Sequence, residues 1–303
     1  MLSTKDLYQK ACIHSAELHA LTSEERLQLQ AHLRGMYVEI EKVCDRHGLR
    51  MCAGYGTVLG ALRHGGFIPW DDDMDLLMPR DDYDKFVNLY AGELPRHLKV
   101  YAPNSKNGPI ARFAKVVDID TRFTATDDSD DDRNGIFIDI FPIENTISNM
   151  TVIRAKRLCA MFLMVVASSV AQYASRREEH LYRRLMCSTL SGKRTYQLRS
   201  FIGWAFSFLY VAQWYNILDR WLQHGRPTPV CSVPSGDAAR WKYFTPYPWN
   251  LYFPVRRVRF DDIEIYIPHQ AEHHCEIEYG DWNRIPPEED RWQHFVKTLK
   301  FKL

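Results

Sequence analysis

Residues 54–83 constrain the fold more than any other segment, because they combine glycine turns with four carboxylates in five positions, Asp71, Asp72, Asp73 and Asp75. At the centre of the segment is Asp73-Met74-Asp75-Leu76-Leu77-Met78. Acids at alternate positions of an apolar run predict a strand in which Asp73 and Asp75 project from one face. Two like charges this close repel each other unless a cation or a proton lies between them. The run therefore predicts a strand that carries a cation site, and a solvated acidic turn is the alternative.

The ligands that this strand offers are carboxylate oxygens without a neighbouring Cys or His, which suits Mg²⁺, with Mn²⁺ as a substitute, rather than zinc. A second apolar run, residues 135–142, predicts another strand with Asp139 at its middle. A buried carboxylate without a partner is very unfavourable, so Asp139 is expected to face a cation.

A short strand over residues 50–55 is expected to lead into a helix that begins near Gly56 and Thr57. Backbone N–H groups at such a turn can bind a substrate phosphate, although a plain strand-to-helix turn is the alternative. Arg63 and His64 follow this helix. Arg63 is expected to pair with a phosphate or with the acidic cluster, and His64 either supports the site or has a structural role.

The alternating run of residues 112–118 predicts a strand that brings Arg112 and Lys115 close to the predicted metal site. Lys115 is expected to neutralise a phosphate, and a solvated lysine at the strand edge is the alternative. The acidic run of residues 127–132 lacks the spacing of a calcium-binding EF-hand loop and is interpreted as a solvated loop.

Two further elements have clear local signals. Residues 22–25, Thr-Ser-Glu-Glu, form a capping box that predicts the start of a helix, and Gly48 predicts its end. Residues 258–268 predict a hairpin with an Asp-Asp turn.

Composition excludes several classes of protein. The net charge of +1 gives no bulk attraction to nucleic acid. Seven scattered cysteines without a Cys-x-x-Cys pair indicate neither a zinc site nor a disulfide framework. The first 20 residues lack the apolar centre of a signal peptide, and the longest apolar runs are shorter than the roughly 20 residues of a spanning helix. We therefore expect a cytoplasmic protein, with peripheral contact at the inner face of the membrane as a further option.

Residues 151–225 differ from the rest of the chain, since they carry eleven Lys or Arg against three acids. Two apolar runs, 158–171 and 201–218, are expected to be helical. Core helices of an inserted subdomain are the favoured interpretation, because apolar residues at helical spacing are most often core. Basic helices that lie on an anionic membrane surface are the alternative.

Residues 56–64, Gly-Thr-Val-Leu-Gly-Ala-Leu-Arg-His, and residues 66–75, Gly-Phe-Ile-Pro-Trp-Asp-Asp-Asp-Met-Asp, closely resemble the signature of the LicD family, the phosphocholine-transferase family that includes fukutin-related protein. The strand around Asp139 and the Asp120-Thr121 pair that follows Lys115 resemble further family motifs. The closing segment, with residues 276–282, Pro286-Pro287 and His294, also resembles the family. The resemblance covers roughly residues 30–145 and 243–295 and is weak between them.

This resemblance implies an α+β fold, a nucleotidyltransferase-like mixed β-sheet flanked by helices with a helical insertion. It divides the chain into a core with N-terminal helices (1–150), the insertion (151–225) and a C-terminal return to the core (226–303). It also implies transfer of phosphocholine, or of a polyol phosphate, from a CDP-activated donor such as CDP-choline to a hydroxyl of a cell-surface glycan or lipid-linked glycan precursor.

By the same resemblance, the residues expected to hold one or two Mg²⁺ are Asp73, Asp75 and Asp139, and those expected to position phosphates are Gly56, Thr57 and Lys115. Asp139 is also the candidate that accepts the proton of the acceptor hydroxyl. Two alternatives stay open: a nucleotidyltransferase acting on a small molecule or protein, and a non-catalytic scaffold of glycan assembly.

Overall fold

A computed structural model of the chain describes residues 18–125, 133–177, 181–237, 239–288, 291 and 295–303 and shows a mixed α+β architecture. The acidic run of residues 127–132 and His294 lie outside the described residues. In chain order the strands are β1 (His19–Ala20), β2 (Cys52–Ala53), β3 (Asp75–Pro79), β4 (Leu98–Tyr101), β5 (Ala114–Asp118), β6 (Arg122–Ala125), β7 (Ile136–Thr146), β8 (Val230–Ser232), β9 (Tyr247–Pro248), β10 (Arg256–Phe260), β11 (Ile263–Ile267) and β12 (Phe295–Lys300). The helices are α1 (Ser23–His47), α2 (Tyr55–His64), α3 (Arg80–Lys85), α4 (Met150–Ala174), α5 (Leu181–Met186), α6 (Leu190–Ala205), α7 (Val211–Leu222) and α8 (Ala271–Tyr279).

The main sheet has the strand order β2-β3-β7-β5-β4. The central pair β3 and β7 is parallel, whereas β2, β5 and β4 join antiparallel. The far end of β7 pairs with β8, which pairs with β9. The strands β3 and β7 are therefore interior strands of the sheet, which explains why β3 and residues 136–143 of β7 are apolar except for Asp75 and Asp139.

Helix α1 forms where its local signals predict it. The Thr22 hydroxyl accepts a hydrogen bond from the Glu25 amide at 3.2 Å, and the Thr22 amide donates to the Glu25 carboxylate at 2.9 Å, so the capping box is confirmed. Gly48 ends the helix at a φ of 61°, in the left-handed region that favours glycine. The apolar face of α1, which includes Leu33 and Ile40, is buried in the same core as the main sheet.

The structure corrects the boundary of the acidic strand. The strand expected from Asp73 begins only at Asp75, so Asp73 belongs to the loop before β3, and strand alternation does not place it beside Asp75. Helix α3 follows β3 directly, begins at Arg80 and passes into a π-helical turn, Phe86–Tyr90. The hairpin near the C-terminus forms as predicted, with Asp261 in the turn at a φ of 54°.

Helices α4, α6 and α7 follow the main sheet and have apolar contacts of their own. Ile153 and Ala160 of α4 pack with Leu218 and Leu222 of α7. A second cluster joins Val166, Ala167 and Val170 of α4 to Trp214. None of the helices in the described part of the chain combines the length and the apolar character that a membrane crossing requires.

Candidate functional site

Three charged side chains form one row across the middle of the main sheet. In the parallel pair β3 and β7, Asp75 is the register partner of Asp139, and in the antiparallel pair β5 and β7, Lys115 is the register partner of the same Asp139. Register partners project to the same face of a sheet, with neighbouring strands about 4.8 Å apart. The Lys115 ammonium lies 2.7 Å from Asp139 Oδ1 and 3.3 Å from the centroid of the Phe137 ring. Two carboxylates and one ammonium thus meet at one place.

The start of β3 is held by the preceding turn. The Thr57 hydroxyl, which is buried, accepts a hydrogen bond from the Asp75 amide at 3.0 Å. The Gly54 amide donates to the Asp75 carbonyl at 2.9 Å, and the Asp139 amide donates to the Met74 carbonyl at 3.1 Å. Thr57 therefore fixes the backbone that carries Asp75.

The loop before β3 contributes further carboxylates. Asp71, Asp72 and Asp73 each offer an oxygen, and these oxygens all lie within 4.8 Å of one another, a separation at which one cation could bind them. A Cβ at Gly56 would lie only 2.8 Å from Asp71 Oδ2, so glycine is needed here for Asp71 to approach helix α2. Gln30 of α1 donates to the Asp71 carbonyl at 2.8 Å and holds the loop in place.

The negative charges that surround Asp75 affect its pKa. Burial, followed by the charges of Asp73, Asp139 and Asp71, raises the pKa of Asp75 well above its usual value, whereas Lys115 acts in the opposite direction. The ionised form of Asp75 is therefore unfavourable without a further cation. A hard cation with oxygen ligands would relieve this repulsion, so the residues present fit the predicted magnesium site.

A cleft of about 290 Å³ opens beside Asp75. Its lining has five aromatic rings, three cationic side chains, two carboxylates and one glycine. These residues are Tyr55, Phe113, Phe141, Tyr243, Tyr279, Arg112, Arg240, Lys242, Asp75, Glu278 and Gly236. Tyr55 has a φ of 40°, an uncommon backbone conformation for a bulky residue and one that is found most often at functional sites. The cleft therefore places aromatic rings and cationic side chains beside Asp75.

Sequence reasoning missed several of these cleft residues. Glu278 and Tyr279 lie in the segment 276–282, which the family resemblance marks without giving it a role. Lys242 and Tyr243 lie in a short 3-10 helix, Trp241–Phe244, which no sequence motif marks. The Lys242 ammonium forms an ion pair with the Glu278 carboxylate and also donates to the Glu278 carbonyl at 2.8 Å, so it joins this stretch to α8.

Arg63, expected to pair with a phosphate or with the acidic cluster, and Arg112, expected close to the metal site, both make backbone contacts. Arg112 lines the cleft and donates to the carbonyls of Ser235, at 2.7 Å, and Gly236. Arg63 donates to the carbonyls of Trp282 and Arg284 at 2.9 and 3.3 Å, and it is not among the residues that line the cleft. Each arginine thus fastens a C-terminal segment to the core.

His64, predicted beside Arg63, also lies outside the lining of the cleft. Its ring meets the Trp70 ring edge to face, with centroids 6.3 Å apart. Burial, followed by the charge of Arg63, lowers the pKa of His64.

Below the cleft, His274 is fully buried against aromatic rings. Its ring centroid lies 6.2 Å from that of Tyr55 and 5.8 Å from that of Tyr252. Burial, with smaller effects from the charges of Lys242 and His273, lowers the pKa of His274 from 6.5 to about 4. The neutral imidazole is therefore the form that fits the folded chain.

This burial gives a pH-dependent stability. Between pH 6.5 and about 4 the unfolded chain binds a proton at His274 that the folded chain does not, so the free energy of unfolding falls as the pH falls. The loss amounts to about 3 kcal/mol. His274→Phe keeps a ring and cannot be protonated, so we expect a flatter dependence over this range in urea unfolding. If the free energy of unfolding of the variant depended on pH as steeply as that of the unaltered protein, His274 would have to be protonated in the folded state over this range.

Comparison with known proteins bears on this site. Residues 48–159, which contain the whole carboxylate row and Lys115, match the family model "LicD/FKTN/FKRP, nucleotidyltransferase domain". The chain is also 25% identical over 262 residues to the lipopolysaccharide cholinephosphotransferase LicD of Haemophilus influenzae, with 84% of this chain and 90% of that protein covered. The resemblance found in the signature residues is thereby confirmed, since residues 48–159 match the LicD family model and the chain is similar to a LicD protein over most of its length.

Proposed function

We propose that this protein is a metal-dependent transferase with a nucleotidyltransferase-like fold. It moves phosphocholine, or a polyol phosphate, from a CDP-activated donor to a hydroxyl of a cell-surface glycan or lipopolysaccharide precursor. The observation that carries the proposal is the row of Asp75, Asp139 and Lys115 beside the cleft, inside the LicD domain. The name of the Haemophilus relative, a lipopolysaccharide cholinephosphotransferase, supports the choice of group and acceptor.

The carboxylates Asp73, Asp75 and Asp139 would hold Mg²⁺, and Asp71 lies close enough to Asp73 to assist. When bound, the ion would neutralise the diphosphate of the donor and the charge on the departing CMP. Lys115 contributes a fixed positive charge on the same row, where it is placed to neutralise a phosphate oxygen.

The reaction needs one proton acceptor. The acceptor hydroxyl oxygen attacks the phosphorus that carries the transferred alcohol. The bond from this phosphorus to the bridging oxygen of the diphosphate breaks, and CMP leaves. Asp139 is the carboxylate assigned to take the hydroxyl proton, since its register partner Asp75 lines the cleft and the ion pair with Lys115 fixes its position. Arg240, whose exposed ion pair with Asp237 is 3.6 Å long, supplies positive charge along the cleft for the diphosphate, whereas the charge of Lys242 is shared with Glu278.

The aromatic lining suits the two organic ends of such a donor. A trimethylammonium group is attracted to the faces of tyrosine and phenylalanine rings, and a cytosine base stacks on them. Tyr55, Phe141, Tyr243 and Tyr279 are available in the cleft for these contacts.

A nucleotidyltransferase is the second candidate, because the matched domain is described by that name. The two activities use the same carboxylates and differ in the group that is transferred. A scaffold without catalysis is less well supported, since all three predicted carboxylates are present.

Thermal unfolding in the presence of a ligand panel separates these functions. The panel contains CDP-choline, CDP-polyols, CDP and nucleoside triphosphates, each with and without Mg²⁺. We expect the largest increase in Tm with a CDP-activated alcohol plus Mg²⁺, because binding to the folded state alone stabilises it. Release of CMP with an acceptor glycan then tests transfer. Selective stabilisation by triphosphates, with release of pyrophosphate, would support the nucleotidyltransferase instead.

Divalent cations are expected to be required for activity. The proposed ligands are all oxygens, so Mn²⁺ should replace Mg²⁺, whereas EDTA should remove activity and added Mg²⁺ should restore it. The measurement is CMP release under each condition. Full activity in excess EDTA would disprove the metal assignment.

A further inference from the structure

Helix α6 presents its large apolar side chains outward. The residues of α6 that are buried are Gly192 and Gly203, whereas Leu198, Phe201 and Trp204 are 61%, 62% and 58% exposed. A surface helix of a globular protein normally shows the opposite pattern, with its apolar stripe toward the core. The aromatic residues of α6 are therefore not part of a hydrophobic core.

The glycine side of α6 explains how the helix sits on α4. A Cβ at Gly203 would lie 2.1 Å from the Ser169 carbonyl oxygen, so the two backbones approach too closely for a larger residue. Gln172 of α4 donates to the Tyr196 carbonyl and the Ser200 hydroxyl of α6 at 3.0 and 2.9 Å. This contact fixes which side of α6 faces outward.

The outward surface continues into the connection to α7. Phe208 is 71% exposed and Tyr210 is 83% exposed. The Phe206 ring contacts the rings of Phe208 and Phe162, with centroids 6.1 and 5.7 Å apart, so the surface also reaches α4. We define the aromatic face as Leu198, Phe201, Trp204, Phe208 and Tyr210.

This concentration is particular to one part of the molecule. Thirteen of the eighteen large apolar residues that are exposed in the described chain lie between residues 150 and 221. Exposed apolar residues occur singly on most proteins, but a contiguous patch marks an interaction site.

The charge around the aromatic face selects the partner. Residues 180–218 contain five Lys or Arg and no Asp or Glu. Lys193 and Arg194 are exposed on α6, and Arg194 lies one turn before Leu198 on the same stripe. Two copies of this surface would bring like charges together, which disfavours self-association. Phosphate headgroups around an apolar interior complement both features.

We propose that the aromatic face docks on the surface of an anionic lipid bilayer, with α6 in the plane of the interface. Phe201 and Trp204 would enter the boundary between headgroups and acyl chains, and Lys193 and Arg194 would pair with lipid phosphates. This mode of contact needs no spanning helix. It is independent of the proposed transfer reaction, because it involves neither the carboxylate row nor the cleft.

Vesicle flotation of the full chain tests this proposal without any substrate. The probes are phosphatidylcholine vesicles with and without phosphatidylglycerol. We expect binding to the anionic vesicles that weakens at high salt. The variant Leu198→Gln, Phe201→Gln and Trp204→Gln should bind roughly tenfold more weakly or worse, since glutamine keeps the helix but loses the apolar insertion. Its matched control is Leu27→Gln with Leu89→Gln, which removes two apolar residues that are each 67% exposed elsewhere.

The electrostatic part has its own pair of variants. Lys193→Glu with Arg194→Glu should weaken binding to anionic vesicles by at least about fivefold per charge. Lys297→Glu with Lys300→Glu makes the same change of charge at exposed positions of β12 and should bind like the unaltered protein.

Melting temperatures confirm that each variant is folded. Absence of binding to anionic vesicles, equal binding to both lipid compositions, or equal loss in the control variants would overturn the proposal. So would self-association of the unaltered protein that the glutamine variant abolishes, because a second copy would then cover the face.

Discussion

We expect the rate of transfer to fall by roughly a thousandfold or more in each of three variants, Asp75→Asn, Asp139→Asn and Asp73→Asn. Asparagine keeps the size of the side chain and one oxygen, but it removes the charge that would hold the cation. Asp75 and Asp139 are register partners on adjacent strands, so either substitution removes a ligand from the same place. CMP release at saturating donor and Mg²⁺ measures the effect.

Stability should change in the other direction. Because burial and three neighbouring carboxylates raise the pKa of Asp75, its ionised form destabilises the folded, metal-free protein at neutral pH. We therefore expect the Tm of Asp75→Asn in EDTA to be equal to or above that of the unaltered protein. Added Mg²⁺ should raise the Tm of the unaltered protein more than that of the variant.

The matched control is Asp81→Asn, which removes an exposed carboxylate in the first turn of α3. It should leave turnover unchanged and alter stability by only a few tenths of a kcal/mol, as is usual for a helix-terminal charge. If Asp139→Asn kept near-normal turnover, the pairing of β3 and β7 around one cation would be wrong. If Asp81→Asn lost activity as well, the effect would not be specific to the carboxylate row.

The parts of the fold that could be predicted have local causes. Helix α1 has a capping box and a C-terminal glycine, and the hairpin β10–β11 has alternating residues around a turn, so neighbours in sequence decide both. The position of Asp73 depends instead on contacts with residues that are distant in sequence. The register pairs of β3 begin at Asp75 with β7 and at Leu76 with β2, so the loop of residues 71–73 follows other contacts, such as the hydrogen bond from Gln30 to the Asp71 carbonyl.

The features that sequence reasoning missed depend on distant contacts. Arg63 and Arg112 carry the charge that a phosphate site needs, yet their guanidinium groups donate to carbonyls more than 120 positions away in sequence. The outward turn of the α6 aromatics depends on Gly203 and on its contact with Ser169. The apolar runs of residues 151–225 favour core helices, and the structure shows core contacts on α4 and α7 but an exposed face on α6.

Arg80→Met is expected to be the most destabilising single change outside the carboxylate row. Arg80 is 7% exposed and forms ion pairs with Glu144 of β7 and with Asp219 of α7, the latter at 2.8 Å. Its guanidinium also lies 4.8 Å from the centroid of the Tyr83 ring. Both partner carboxylates are buried, so loss of Arg80 leaves two negative charges without their cation.

Removal of one member of such a buried ionic group lowers the free energy of unfolding by about 3–5 kcal/mol. For a chain of this size, that corresponds to a fall in Tm on the order of 10 °C. Burial raises the pKa of Glu144, and Arg80 is the main opposing charge, so the variant should also become more stable as Glu144 is protonated at lower pH. Urea unfolding at two pH values measures both effects.

Two further variants decide whether the effect comes from the buried charges. Arg46→Met removes an exposed arginine whose ion pair with Glu93 has a length of 2.6 Å, and it should cost less than about 1 kcal/mol despite this shorter distance. Combining Arg80→Met with Glu144→Gln and Asp219→Asn removes the orphaned charges and should recover much of the lost stability. A loss from Arg80→Met as small as that from Arg46→Met would mean that water or Lys156 compensates the two carboxylates.

Since Glu144 belongs to the strand that carries Asp139, while Asp219 belongs to a helix that packs on α4, this cluster joins the main sheet to the helical segment. A single unfolding transition that Arg80→Met shifts as a whole would therefore show that the two parts unfold together.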